Sequence, residues 1–209
     1  MKLYHNPLSP NARRALLTAK HAGVALEEVV LDFMKGDHKK PDYLALNPNG
    51  MIPTLQDGDF VLSESRVIAQ YIASKKPESK LLPTDERLRF DVQRWSTWDA
   101  AHFSPPIGNI TFEKLLKPMM GAGQTDDAVV AESLTKFGRF APVLDAHLGK
   151  SGGWLVGGNL TVADFIVGSS LTYAGPISLP LDEYKNVKSW LGRLRELPAW
   201  TQTEPKPGG

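Results

Sequence analysis

Three short segments carry residue types from which a site could be built: Ser9 ahead of a helix signal, Met51-Ile52-Pro53 ahead of a hairpin signal, and Glu64-Ser65 at the start of another helix. Taken singly, each has an ordinary structural explanation. Ser9-Pro10-Asn11 reads as a turn or a helix cap. Pro53 reads as a trans proline where a strand begins, since only a few per cent of X-Pro bonds in folded proteins are cis. Glu64-Ser65 reads as a capping pair. No His or Asp near Ser9 forms a pattern that suggests a hydrolase triad, although residues distant in sequence could supply one. The chain contains no cysteine, which removes disulfides, zinc-thiolate sites and a cysteine nucleophile together. The five histidines (His5, His21, His38, His102, His147) show no ligand spacing, so no metal site is expected.

The elements that must position these residues follow from periodicity. Lys2–His5 is a short strand stopped by Asn6-Pro7. Asn11 is placed to cap a helix whose apolar positions Ala12, Ala15, Leu16 and Ala19 repeat to a stop at Gly23. Leu26–Leu31 reads as a second strand, and Thr54–Leu62 as two strands around the hairpin signal Asp57-Gly58. Ser65 caps a further helix with Val67, Ile68, Tyr71 and Ile72 on one face. The order β-α-β, an irregular or helical stretch, then β-β-α predicts a parallel crossover followed by an antiparallel edge.

Past a polar stretch at 77–85, strand signals fade. Leu88, Val92 and Trp95 lie on one helical face before a break at Pro105-Pro106. Leu134, Phe137, Ala141, Leu144 and Leu148 form a second stripe, with Gly152-Gly153 beyond its end. Thr161 and Asp164 form a capping-box pair ahead of Phe165-Ile166-Val167. Val187, Trp190, Leu191 and Leu194 mark a last helix ending near Pro198, and the Pro/Gly tail from Pro205 reads as disordered. The predicted domains are therefore 1–76 (α/β), a linker at 77–85, and 86–209 (all-α).

Lys plus Arg number 24 and Asp plus Glu 23, a balance that gives no electrostatic reason for a nucleic-acid or membrane-surface partner. No stretch is apolar for the roughly 18 residues that a membrane span requires. The lack of cysteine fits a reducing cytoplasm, where the protein is expected to reside.

The order of the three segments, with their neighbours, changes how each is read. Pro7-Leu8-Ser9-Pro10-Asn11-Ala12-Arg13-Arg14, Gly36-Asp37-His38-Lys39-Lys40, Asn47-Pro48-Asn49-Gly50-Met51-Ile52-Pro53 and Glu64-Ser65-Arg66 match in order and spacing the glutathione transferase family. The chain resembles its serine-type, phi-like classes in detail from Lys2 to Lys75 and more loosely to about Trp200. The resemblance implies a thioredoxin-like domain followed by an α-helical domain, in agreement with the reading from periodicity.

It also implies a set of roles. Ser9 would donate a hydrogen bond to the glutathione sulfur, whose free thiol has a pKa of about 8.5, assisted by the positive end of the helix that follows. Pro53 would be cis, so that Ile52 pairs its N–H and C=O with the cysteinyl peptide and Met51 lies beside it. Glu64 would meet the γ-glutamyl ammonium and Ser65 the adjacent carboxylate. His38 and Lys39 would meet the glycyl carboxylate, although the same basic run can be a solvated loop. Tyr4 is read as packing, with Tyr4 and Asn6 the candidate helpers of Ser9. Leu8, His102, Phe103 and Pro106 are expected near a small hydrophobic electrophile, although Phe103 at helical spacing with Trp95 and Trp98 can equally be core. Asp99 stays open between a surface residue and one reaching a partner subunit.

The implied activity is glutathione transfer by a cytoplasmic homodimer serving detoxification, with glutathione as co-substrate. A non-catalytic ligand-binding or interaction module with the same fold is the alternative, because fold alone does not fix function.

Overall fold

A computed structural model describes residues 1–205, which fall into two compact units. The first comprises Met1–Leu82 with the segment from Leu197 onward, and the second Pro83–Glu196. The boundary at 82/83 lies inside the predicted linker. The other end departs from expectation: the segment after Glu196 belongs with the first unit, so a helical domain of 86–209 runs too far. Of the predicted loose tail, everything beyond Pro205 lies outside the described residues.

In the first unit the order is β1 (Lys2–His5), α1 (Pro10–Ala22), β2 (Glu27–Val30), a 3₁₀ turn (Asp37–Lys39), α2 (Pro41–Leu46), β3 (Thr54–Asp57), β4 (Phe60–Leu62) and α3 (Ser65–Ser74). The sheet order is β2-β1-β3-β4, with β1 parallel to β2, antiparallel to β3, and β3 antiparallel to β4. Alternation along β1 sends successive side chains to opposite faces. Leu3 joins Leu55, Ala15, Leu16, Ala19, Ile68 and Ile72 in the core beneath α1 and α3. Tyr4 lies 5.9 Å from Tyr43 of α2 and donates to Gln56 Oε1 at 3.2 Å, so it is a packing residue.

Two local expectations change. The cap of α1 is Ser9, whose Oγ accepts from Ala12 N–H; Asn11 sits inside the first turn. Pro10 at the first helical position explains the shift, because its fixed φ suits that position and its missing N–H is not needed there. On α3, Val67 is 45% exposed, and the buried face uses Ile68, Ala69, Ile72 and Ala73. A bulky residue on an exposed helical position leaves the period unchanged but makes the stripe look wider than it is.

The second unit contains α4 (Glu86–Trp98), α5 (Ser104–Thr111), α6 (Lys117–Met119), α7 (Asp127–Lys150), α8 (Val162–Ser169) and α9 (Lys185–Glu196). The predicted break at Pro105-Pro106 does not occur. A π-helical turn at Asp99–Phe103 leads directly into α5, and the two prolines, which lack an N–H to donate, follow that irregular turn. Asp99 in this turn is buried and accepts from Ser170 Oγ at 2.8 Å, so it is not a surface residue. The capping box of α8 forms as predicted. Asp164 accepts from Thr161 N–H at 2.8 Å, Leu155 N–H at 3.0 Å and Trp190 Nε1 at 2.9 Å. Burial pushes its carboxyl up to about 6 against those donors. Val187, Trp190, Leu191 and Leu194 form the buried face of α9, also as predicted.

After α9 a short helix, α10 (Pro198–Gln202), returns to the first unit. Its anchor is Arg13 of α1, which lies 4.2 Å over the Trp200 ring, donates from Nη2 to Trp200 O at 2.9 Å and reaches Thr203 Oγ1 at 3.4 Å. Arg13 is 1% and Trp200 3% exposed. A buried guanidinium needs such acceptors and an aromatic face, which is why this segment leaves the helical unit. Among the described residues, no helix is long and apolar enough to cross a membrane.

Candidate functional site

The loop leaving β1 holds Ser9. Asn6 organises it: Nδ2 donates to Leu31 O at 3.0 Å, Oδ1 accepts from Leu8 N–H at 3.0 Å, and its carbonyl accepts from Ser9 N–H at 3.0 Å. Asn6 is thus a structural pin of the loop. Ser9 is half-buried, and its Oγ accepts from Ala12 N–H at 3.3 Å. That bond does not use the hydroxyl proton, which is left to donate to a ligand. The first turn of α1 adds the positive end of a helix of 13 residues.

β1 pairs antiparallel with β3 in the register Lys2↔Gln56, Leu3↔Leu55, Tyr4↔Thr54, so the loop leaving β1 and the segment entering β3 lie at the same end of the sheet. The Ile52–Pro53 bond is cis, as the resemblance implied. Met51 O accepts from the Tyr43 hydroxyl and from Asn47 Nδ2 at 2.8 Å. Thr54 Oγ1 is bonded to the same two groups, at 2.8 Å to Tyr43 Oη and 3.0 Å to Asn47 Nδ2. Burial raises the Tyr43 phenol above its ordinary value, so it stays a neutral donor. This buried triangle holds the loop, while the N–H and C=O of Ile52 itself have no partner among the described residues. A free donor and acceptor on one residue is what pairing with a peptide backbone requires. Met51 projects an exposed side chain and contributes by position alone.

Gly50 fastens this loop to the next segment. It has φ +59°, and a Cβ there would lie 3.1 Å from His38 O. Both the left-handed backbone and the close approach require glycine. The His38 ring packs on Phe33 at 4.4 Å, and its buried Nδ1 has no hydrogen-bond partner among the described residues. Lys39 is exposed and forms no ion pair among them, whereas Lys40 is held by Asp37 at 2.7 Å. Of the basic run, His38 and Lys39 remain available to an anion.

Glu64 precedes α3 with φ +68°, a left-handed conformation in a residue that gains nothing sterically from it. That turn starts α3 at Ser65, leaving the Glu64 carboxylate in solvent and Ser65 only 7% exposed. Arg14 of α1 donates to Ser65 Oγ at 3.3 Å and also to Asn11 Oδ1. Ser9, Ile52, Ser65 and the His38 segment therefore belong to one unit and are joined by hydrogen bonds and packing. Sequence reasoning missed their supports: Tyr43, Asn47 and Thr54 around Met51, and Arg14 behind Ser65. The turn-rich Asn47-Pro48-Asn49-Gly50 was a usable signal for the first of these.

The residues expected near an electrophile are placed less uniformly. Leu8 is half-buried in the Asn6 loop. His102 is exposed, stacks on Phe140 at 4.8 Å, and lies with Phe90 and Trp98 on an open groove of about 460 Å³. Phe103 is wholly buried between Trp98 (5.2 Å) and Phe137 (5.8 Å), and Pro106 is buried too. Phe103 is a core residue of the second unit, held there by aromatic packing on two sides.

Residues 1–74 match the N-terminal domain model of glutathione S-transferase, and residues 105–198 the C-terminal domain model. The chain belongs to the glutathione S-transferase family. A probable glutathione S-transferase of Oryza sativa subsp. japonica is 38% identical over 95% of this chain and 93% of its own. The structure of glutathione S-transferase I from mais, in complex with an atrazine glutathione conjugate, superposes with a TM-score of 0.89 at 34% identity, covering 100% of this chain and 99% of that one. A theta-class glutathione S-transferase from Xanthomonas axonopodis pv. citri with glutathione bound gives 0.88 at 31% identity, covering 98% and 97%. The family fold, a four-stranded thioredoxin-like unit and a helical unit, is the one predicted from the sequence.

Proposed function

We propose that this glutathione S-transferase activates the thiol of glutathione through Ser9 for attack on a hydrophobic electrophile. The observation that carries the reading is the Ser9 hydroxyl, engaged as an acceptor by Ala12 N–H and so left to donate, at the start of α1. A donor there favours thiolate over thiol and lowers the thiol pKa. Ile52 pairs with the cysteinyl peptide, beside Met51 and Pro53. Glu64 meets the γ-glutamyl ammonium and Ser65 its carboxylate, while His38 and Lys39 meet the glycyl carboxylate. Glutathione is the co-substrate. The second substrate is a small hydrophobic electrophile, and the protein works as a cytoplasmic homodimer; these last points rest on family membership alone.

The test is a glutathione titration of wild type and Ser9→Ala, following heat and the ultraviolet thiolate band across pH. Wild type is expected to bind and to show thiolate below the pKa of free glutathione, and Ser9→Ala to bind without that shift. An unchanged shift in Ser9→Ala moves activation to another group. Binding without turnover of any aryl halide supports the carrier alternative.

A further inference from the structure

Arg14 is a buried cation that the mechanism above leaves without a task. It is fully buried on α1, and its Nη1 donates both to Ser65 Oγ at 3.3 Å and to Asn11 Oδ1. We propose that Arg14 is a positioning residue for glutathione, orienting the Ser65 hydroxyl and adding positive charge where the γ-glutamyl carboxylate is held. This rests on the reading of Ser65 given above and deepens it.

Three observations lead there. A hydroxyl that accepts from a guanidinium has its own proton left to donate, so the Arg14–Ser65 bond turns Ser65 into an oriented donor. Ser65 is also the first residue of α3, where the helix presents the positive end of its dipole. The positive end of α3 and the guanidinium that holds Ser65 Oγ both suit an anion at Ser65. The spacing is fixed as well. Ala15, Leu16 and Ala19 pack with Ile68 and Ile72 in one core, and Thr18 Oγ1 bonds Arg14 O at 2.8 Å. Close-packed cores hold such distances firmly.

Ser9 has separate supports in Asn6 and Ala12, so Arg14 acts at the carboxylate end of glutathione and not on its thiol. This separation makes the idea testable. Calorimetric titration compares glutathione with 4-aminobutyryl-cysteinyl-glycine, which keeps the ammonium and lacks only the γ-glutamyl carboxylate. Arg14→Gln is expected to bind glutathione at least tenfold more weakly than wild type and the analogue equally well. The bound thiol should keep its lowered pKa, with KM for glutathione raised and kcat little changed. Arg14→Lys, which keeps a charge, is expected to recover part of the loss. If Arg14→Gln does not fold, Arg14→Lys carries the same comparison, with a loss toward glutathione that the analogue does not share.

An equal loss for both ligands, or no loss for either, overturns the positioning role while leaving the transferase reading intact. A wild-type protein that fails to bind glutathione overturns that reading, and this inference with it.

Discussion

Ser9 has two duties on one oxygen. It caps α1 by accepting from Ala12 N–H, and by the proposed mechanism it donates to a sulfur anion. Ser9→Ala should therefore cost twice: about 1 kcal/mol of stability for the lost cap, and about 10–100-fold in kcat for a hydrogen bond to a charged group. Ser9→Asp separates the two. An aspartate caps as well as serine, so the thermal midpoint should stay near wild type, while a carboxylate beside the sulfur abolishes the thiolate. Melting curves and the thiolate band read the two effects independently; an Ser9→Asp protein that retained thiolate would remove serine from the mechanism. At this scale the sequence singled out the residues proposed to meet a ligand, because each stands beside a turn or helix start. It was silent on Arg14 and Tyr43, since a buried arginine and a packing tyrosine look the same in sequence as solvated ones.

The loop from Asn47 to Thr54 depends on one buried amide. Asn47 donates to both Met51 O and Thr54 Oγ1. Asn47→Ala leaves those acceptors short of a donor, with an expected loss of about 1–3 kcal/mol. KM for glutathione should rise through the loosened Ile52, with Ser9 and the thiol pKa unaffected. An unchanged KM in a folded variant would separate this loop from binding. The α8 capping box offers a pH test in the other unit. Its Asp164 has a folded pKa of about 6 against 3.8 for an ordinary aspartate, so the folded state binds the proton more tightly. The stability from that proton is fully present below about pH 4 and is lost as pH rises through about 6, a span on the order of 3 kcal/mol. In urea titrations the stability of wild type relative to Asp164→Asn should fall across that window; a pH-independent difference would contradict it. Helix periods revealed both units' framework, yet misjudged the prolines at 105 and 106. A proline pair signals a stop only when the chain does not simply restart a helix there, and the π-helical turn before it is invisible to a 3.6-residue pattern.

At the scale of the whole chain, the sequence reading found two domains but assigned the last segment to the wrong one. The deciding bond is between Arg13 and Trp200, residues too far apart for any local pattern to connect. A fragment ending at Leu82 keeps the four-stranded sheet but strips Arg13 of its aromatic cover and carbonyl partner. It should be markedly less stable than the same unit in the full chain. Trp200→Ala in the full chain should reproduce much of the loss, about 3–5 kcal/mol. Denaturant melts of the three proteins check this, and a fragment as stable as the intact unit would show that the returning segment contributes nothing.

The same return path sets an order of events during synthesis. Chains emerge from the ribosome N-terminus first at about 5–20 residues per second, and domains generally fold as they appear. Here the unit that emerges first cannot close over Arg13 until the whole helical unit has been translated and Trp200 arrives behind it. Throughout that interval the nascent chain carries a sheet whose first helix still exposes a side chain destined for burial.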